Sequence, residues 1–172
     1  TFLGYSRKNK EGLSLHDLHA DIESTLVLLK HFVEESNAHI HWDRKSELTL
    51  EADHGALNQV FTNLLQNSLQ AGSRNIWIEV DRDESTCRIK VRDDGPGIPP
   101  EVLPRIFEPF FTTKDVGKGS GLGLNIVQRI IKAHQGEILV TSKVGQGSEF
   151  TIILPLRQPA ESKPVSANAV SI

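Results

Sequence analysis

The chain has 172 residues, with 19 Lys and Arg against 22 Asp and Glu, a formal charge of -3, 38% hydrophobic and 24% charged residues. That size and balance fit one globular domain with a packed core and exclude collagen, coiled coil and bulk disorder. The slight acidity removes the sequence-independent attraction on which nucleic-acid and anionic-membrane binders rely, so neither is an expected partner.

No apolar run approaches the roughly 20 residues that cross a bilayer, and no signal region opens the chain, so the expected localisation is cytoplasmic. Cys87 stands alone and has no second cysteine for a disulfide or a zinc cluster. A chain that begins at Thr1 and holds no Met is expected to be a fragment of something longer.

The opening residues 1–12 read as the tail of an upstream structure followed by a polar link. Over 15–36, Leu18, Ile22, Leu26, Leu29 and Val33 recur at helical spacing, which predicts the first helix. The stretch 39–53 alternates twice, in HIHWD and LTLEAD, and predicts a hairpin. Leu57, Val60, Phe61, Leu64, Leu65 and Leu69 mark a second helix that Gly72 closes. Ile76, Ile78 and Val80, then Cys87, Ile89 and Val91, alternate as two strands with one buried face each. A Gly- and Pro-rich section from 95 to 123 should hold a short helix near 101–106 and a long loop. A third helix carries Ile126, Val127, Ile130 and Ile131, and ILVTS and FTIILPL supply the last strands. The tail, residues 158–172, has little to bury and is expected to be disordered. These elements predict an α/β (α+β) two-layer sandwich, a mixed sheet with helices on one face.

Four stretches carry chemistry. The second helix turns Gln59, Asn63, Asn67 and Gln70 to one side, where neutral amides suit a hydrated Mg²⁺ on phosphates; the alternative is an accidental polar face. In VRDDGPGI the period of two turns Asp93 inward and Asp94 outward. A buried carboxylate needs donors, and the exocyclic amine of adenine is one, with Gly95 and Gly97 leaving room for a flat base; a plain hairpin turn is the other reading. IFEPFFTTK crowds Phe107, Phe110 and Phe111, either as core or as the anchor of a mobile segment that brings Thr113, Lys114 and Lys118 towards phosphate. In GKGSGLGLNIVQRII four glycines run straight into an amphipathic helix, an arrangement that favours polyphosphate at the helix N-terminus over a linker.

NLLQNSLQAG, DDGPGI, FEPFFTTK, GSGLGL and GQGSEF occur in the order and spacing of the histidine-kinase ATP-binding domain, and the chain resembles that family. The resemblance covers 59–150 and extends, far more weakly, to the opening residues as the end of a dimerisation helix. It implies a Bergerat fold over 13–157 that binds Mg-ATP between the asparagine helix and a lid. On that reading Asn67 ligates Mg²⁺ with Asn63 nearby, and Asp93 accepts from adenine. Gly95, Gly97 and Ile98 line the base pocket, and residues 107–119, from Phe107 to Gly119, form the lid. Gly121, Leu122, Gly123 and Leu124 approach the phosphates, and Ser148 stands where the family often has Thr.

Related chaperones, gyrases and mismatch-repair ATPases carry Glu four residues before the Mg-binding Asn; here that residue is Asn63, which favours phosphoryl transfer over hydrolysis. Gln70 stands where many histidine kinases have Lys, which shifts phosphate neutralisation to Lys114 and Lys118. No HExxxP-type phosphoacceptor motif is present, and His16 and His19 in HDLH have no third ligand in sequence, so surface or capping roles are expected. His134 reads as a structural cap at a helix end.

The resemblance implies a two-component sensor kinase fragment that hands the γ-phosphate of ATP to a histidine on a separate dimerisation domain. A response-regulator Asp is the next acceptor. The parent is expected to be a homodimer and the fragment a monomer. An anti-sigma-type Ser kinase, a non-catalytic ATP-gated module and an ATP hydrolase are the rival readings.

Overall fold

The computed structural model describes residues 12–45 and 47–159. Most of the opening segment and of the tail assigned above lie outside the described residues. Gln158 does not: its backbone N–H donates to Glu51 Oε2 at 2.8 Å.

In chain order the elements are β1 (Leu13–Asp17), α1 (Leu18–Glu35), β2 (His39–Trp42), β3 (Thr49–Asp53), α2 (His54–Gln70), β4 (Asn75–Arg82) and β5 (Thr86–Asp93). A single 3-10 turn (Leu103–Arg105) precedes α3 (Gly123–Ala133), β6 (Glu137–Lys143) and β7 (Gly147–Pro155). Five strands form one sheet in the order β2-β4-β5-β7-β6, antiparallel except for the β2/β4 pair, while β1 and β3 form a separate two-stranded ribbon. Three helices packed on a mixed, largely antiparallel sheet make the two-layer sandwich expected from the sequence.

The period of two decides what the sheet buries. Ile76, Ile78 and Val80 on β4, Cys87, Ile89 and Val91 on β5, and Phe150, Ile152 and Leu154 on β7 are all buried. They meet Leu57, Val60, Phe61, Leu64 and Leu65 of α2 and Val127 and Ile131 of α3 in one core. Each fully buried Leu or Ile contributes about 1.5–3 kcal/mol, so this shared face is what holds the layers together. On β4 and β5 the opposite face carries Arg92 over the Trp77 ring at 4.0 Å, with His41 stacked on the same indole at 5.2 Å.

Caps set the helix boundaries. Asp17 accepts from the His19 N–H and starts α1 three residues after the expected point, because Leu15 is taken into β1. Asp53 does the same for α2, accepting from Ala56 N–H at 3.0 Å. His134 ends α3 in the way its position suggested: Nδ1–H donates to Ile130 O at 2.8 Å, and Nε2 accepts from Asp53 N–H at 3.0 Å. One histidine thus closes α3 and fastens it to the β3/α2 junction.

Three local expectations are corrected. The alternating runs in 39–53 are strands but not a hairpin: β2 lies parallel to β4 in register His39↔Asn75, and β3 pairs antiparallel with β1 in register Leu13↔Asp53. Alternation fixes which face is apolar and says nothing about the neighbour, and here buried Leu48, with Leu18 N–H donating to its carbonyl, leads the chain away from β2. The helix expected near 101–106 shrinks to the 3-10 turn, where Pro104 has no N–H to extend a ladder. His19 is not on the surface; it is 2% exposed and meets the Trp42 ring edge-on at 5.3 Å.

Candidate nucleotide site

Between α2, the end of β5, the loop before α3 and the start of α3 lies a cavity of about 830 Å³. Of the residues singled out in the sequence, Asn63, Asn67, Gln70, Asp93, Gly97, Ile98, Thr113, Lys114, Lys118, Gly119, Gly121, Gly123, Leu124 and Ser148 line it. Gly95, Phe107 and Leu122 do not line it. Gln59 lies apart, in a shallow depression beside Ile126 and Arg129.

Asp93 is buried at the cavity's inner end, and its burial has two internal partners that sequence inspection did not supply. Gly95 N–H donates to Oδ1 and Ser68 Oγ–H to Oδ2, each at 2.9 Å. A carboxylate has about four lone-pair sites, so acceptor capacity remains towards the cavity. Ser68 is the missed residue here, and its signal was legible: it is a hydroxyl set among Leu64, Leu65 and Leu69 in the buried stripe of α2. Asp94, pointing outward, accepts from the backbone N–H groups of Arg74 and Asn75 at 2.8 and 2.9 Å. Those bonds hold its carboxyl below the usual range and lock the start of β4 to the end of β5.

The glycine reading changes in its physical reason. At Gly97, with φ +74°, a Cβ would lie 2.2 Å from Lys143 O, so this glycine lets the loop close against the β6/β7 turn. Pro96 O accepts from Gly145 N–H at 2.7 Å in the same contact. Ile98 N–H donates to Ser142 Oγ at 2.8 Å, Ser142 Oγ–H donates to Gly147 O at 2.9 Å, and Ser148 Oγ lies 2.9 Å from Ser142 Oγ. Ser142, unremarked in the sequence, therefore fixes Ile98 and Ser148 together.

The three Phe residues divide their work. Phe107 packs on the core, and its carbonyl accepts from Asn125 Nδ2 at 3.0 Å. Phe111 lines the cavity with the Arg105 guanidinium 4.4 Å over its ring, and Phe110 is 75% exposed. The segment they open reaches back to α2, where Lys114 Nζ–H donates to Gln70 Oε1. Burial holds the Lys114 ammonium below the usual lysine range. Lys118, which also borders the cavity, pairs with Asp115 at 3.3 Å, both side chains largely exposed.

At the other end Asn63 Nδ2–H donates to Gly123 O at 3.3 Å, which ties α2 to the first residue of α3. Asn67, one turn further along α2, and Gln66, which the sequence reading passed over, add neutral amides to the wall. Among the described residues lining the cavity, Asp93 supplies the one carboxylate.

The family of Histidine kinase-, DNA gyrase B-, and HSP90-like ATPases matches residues 52–158, from the end of β3 to just beyond β7. This chain belongs to that family. It shares 39% identity over 158 residues with the signal transduction histidine-protein kinase AtoS of Escherichia coli (strain K12), covering 90% of this chain and 26% of AtoS. The chain thus spans about a quarter of the length of that relative. The catalytic domain of histidine kinase ThkA superposes with a TM-score of 0.76 at 31% identity, over 85% of this chain and 97% of that one. ThkA is also known in complex with response regulator protein TrrA, matching with a TM-score of 0.69 at 27% identity over 84% of this chain and 42% of that one. Full-length ShkA, in complex with AMPPNP, matches with a TM-score of 0.75 at 30% identity, over 86% of this chain and 32% of ShkA. The sandwich described above is therefore the Bergerat fold of histidine-kinase catalytic domains, a family of ATP-binding domains.

Proposed function

We propose that this domain binds Mg-ATP in the cavity and presents the γ-phosphate to a histidine on a dimerisation segment outside the described residues, for relay to an aspartate of a response regulator. The observation that carries this reading is the charge pattern of the wall. Its one carboxylate, Asp93, is held at the inner end by Ser68 and Gly95, and the residue beside the Asn67 amide is Asn63, already committed to Gly123 O. A wall without a free carboxylate near the phosphates gives water no general base, which favours transfer to a nucleophile brought from elsewhere.

The roles follow from placement. Asp93 accepts from the adenine amine with its spare lone pairs, and Ile98, held by Ser142, packs beside the base. The donor set around Asn67 is neutral amide oxygen, which fits a hydrated Mg²⁺ whose charge the phosphates balance, with Asn63 nearby. Bound there, Mg²⁺ neutralises charge on the β- and γ-phosphates. Gly121, Gly123 and Leu124 bring backbone N–H groups at the start of α3 towards the same anions. Lys114 approaches from the lid.

The relatives support the two partners: AtoS is a histidine-protein kinase, ShkA takes AMPPNP, and ThkA meets a response regulator. The test is calorimetric titration of ATP, with and without Mg²⁺, into this chain and into Asp93→Asn. Magnesium-strengthened binding that Asp93→Asn weakens by about 100-fold is expected, since a buried acceptor becomes a mismatched donor. Binding indifferent to Asp93, or rapid phosphate release by the chain alone, would sink the proposal.

A further inference from the structure

At the N-terminus of α2, three side chains from three elements converge. Asp21, in the first turn of α1, is 3% exposed. Its Oδ1 lies 2.9 Å from His16 Nδ1 on β1, and its Oδ2 meets Nδ1 of His54, the first residue of α2. The two imidazole rings stand 4.6 Å apart, and the ligand atoms of all three residues lie within 4.8 Å of one another.

The second contact of His54 gives this cluster its chemistry. Nε2 lies 2.9 Å from Ser14 O, a backbone acceptor, so Nε2 carries the hydrogen. Nδ1 then faces the Asp21 carboxylate, and two electron-rich atoms at contact distance are held together by a cation, a proton on the ring or a metal ion. A histidine that donates one N–H to a backbone carbonyl and aims the other nitrogen at a carboxylate is oriented as metal-bound histidines are. Two imidazoles and one carboxylate also match the donor set of three-ligand zinc sites, whose fourth position is left to water.

We propose that His16, Asp21 and His54 form a binding site for a transition-metal dication of the zinc class, separate from the nucleotide cavity. Ligand atoms around a tetrahedral ion with bonds of about 2 Å stand roughly 3.3 Å apart, so entry needs only a small opening of the cluster. His16, with a side chain 51% exposed, is free to swing and leaves the water position reachable. The donor set selects against Mg²⁺ and Ca²⁺, which take oxygen ligands. Once occupied, the site pins β1 and α1 to the first residue of the helix that carries Asn63 and Asn67.

The test is calorimetric titration of ZnCl₂ into the full chain, stripped with EDTA and free of nucleotide, with Co²⁺ absorption as a report on geometry. One equivalent bound, a tetrahedral Co²⁺ spectrum, a raised melting temperature and slowed hydrogen exchange in β1 are expected. His16→Ala removes an exposed ligand without touching the core and should weaken binding by about 100-fold or more, as should the isosteric Asp21→Asn. His31→Ala, at an exposed histidine on α1 that pairs with Glu35, should change nothing. No binding below about 100 μM, corresponding to about 5.5 kcal/mol, would mean that a proton alone fills the cluster and would overturn the proposal. Binding that survives both His16→Ala and Asp21→Asn would overturn it equally. Neither result touches the nucleotide reading, which rests on Asp93.

Discussion

Lys114 of the lid donates its Nζ–H to Gln70 Oε1 at the last residue of α2, across 44 positions of sequence. The place where many histidine kinases carry a lysine on the helix is here reached by a lysine from the loop. The cation is thus supplied at the end of α2 by the loop between β5 and α3.

Lys114→Ala should therefore weaken ATP more than ADP. A charged hydrogen bond at a half-exposed site contributes on the order of 1 kcal/mol after solvent screening, so a Kd for ATP raised about fivefold is expected, read by calorimetry. Equal losses for ATP and ADP would place Lys114 away from the terminal phosphate.

Ser68→Ala removes the hydroxyl that fills one side of Asp93. With Oδ2 left unpaired in a buried setting, stability should fall by about 1–3 kcal/mol in urea titration. ATP affinity should drop as well, because the carboxylate loses the partner that aims it. A variant as stable as the parent with unchanged affinity would show that Gly95 alone positions Asp93.

Gly97→Ala combines a positive φ with a clash against Lys143 O at 2.2 Å. The predicted loss is at least about 2–3 kcal/mol, together with a distorted pocket, since Ile98 is the next residue. Gly145→Ala, at φ +79° but with open space around its Cβ position, should cost less. Comparing their urea midpoints separates backbone strain from collision.

Cys87 is buried in β5, and burial pushes its thiol up to about 12. In the folded protein it should stay unmodified by thiol reagents at neutral pH and react at the rate of global opening. The unfolded thiol ionises near 9.0, and the folded one does so only near 12. Its contribution to stability is thus complete below about 9 and is lost as pH rises towards 12. Cys87→Ser or Cys87→Ala should remove that alkaline slope; a slope that persists would assign it to other groups.

Asp83, at the β4/β5 turn, accepts from the Ser85 and Thr86 N–H groups at 2.9 and 2.7 Å, which lowers its carboxyl to about 2. The turn's stabilisation is therefore present above the ordinary carboxylate range and is lost as pH falls through about 2. Side-chain carbon NMR should find Asp83 titrating well below an unbonded aspartate. In Thr86→Ala, which loses the Thr86 Oγ1–H bond to Asp83 Oδ2 at 2.9 Å but keeps the backbone bonds, it should move part of the way back up.

Much of the site was legible because its motifs are local. The alternation of Cys87, Ile89 and Val91 sends Asp93 to the buried face within a single strand, and the apolar stripe of α2 leaves Asn63 and Asn67 beside each other on another side. Gln66 and Ser142 were passed over because their roles depend on what lies opposite them, whereas Ser68 was a legible hydroxyl in the apolar stripe of α2. Ser142 matters only once β6 pairs with β7 and the glycine loop folds onto their turn.

By itself the sequence determined the order of the three long helices and of six of the seven strands, β1 having been read as link and helix, together with the buried faces, the family and most of the residues along the cavity. The elements and their faces follow from periodicity and spacing, which are properties of neighbours in the chain, and the family from motifs that resemble its own in kind and order. Tertiary structure alone decided that β2 joins β4 while β3 joins β1, that Lys114 meets Gln70, and that Asp21 and His54 complete what His16 begins. Each of these is a contact between distant segments, chosen by which apolar faces bury together, and a one-dimensional pattern of apolar and polar residues does not name its partner.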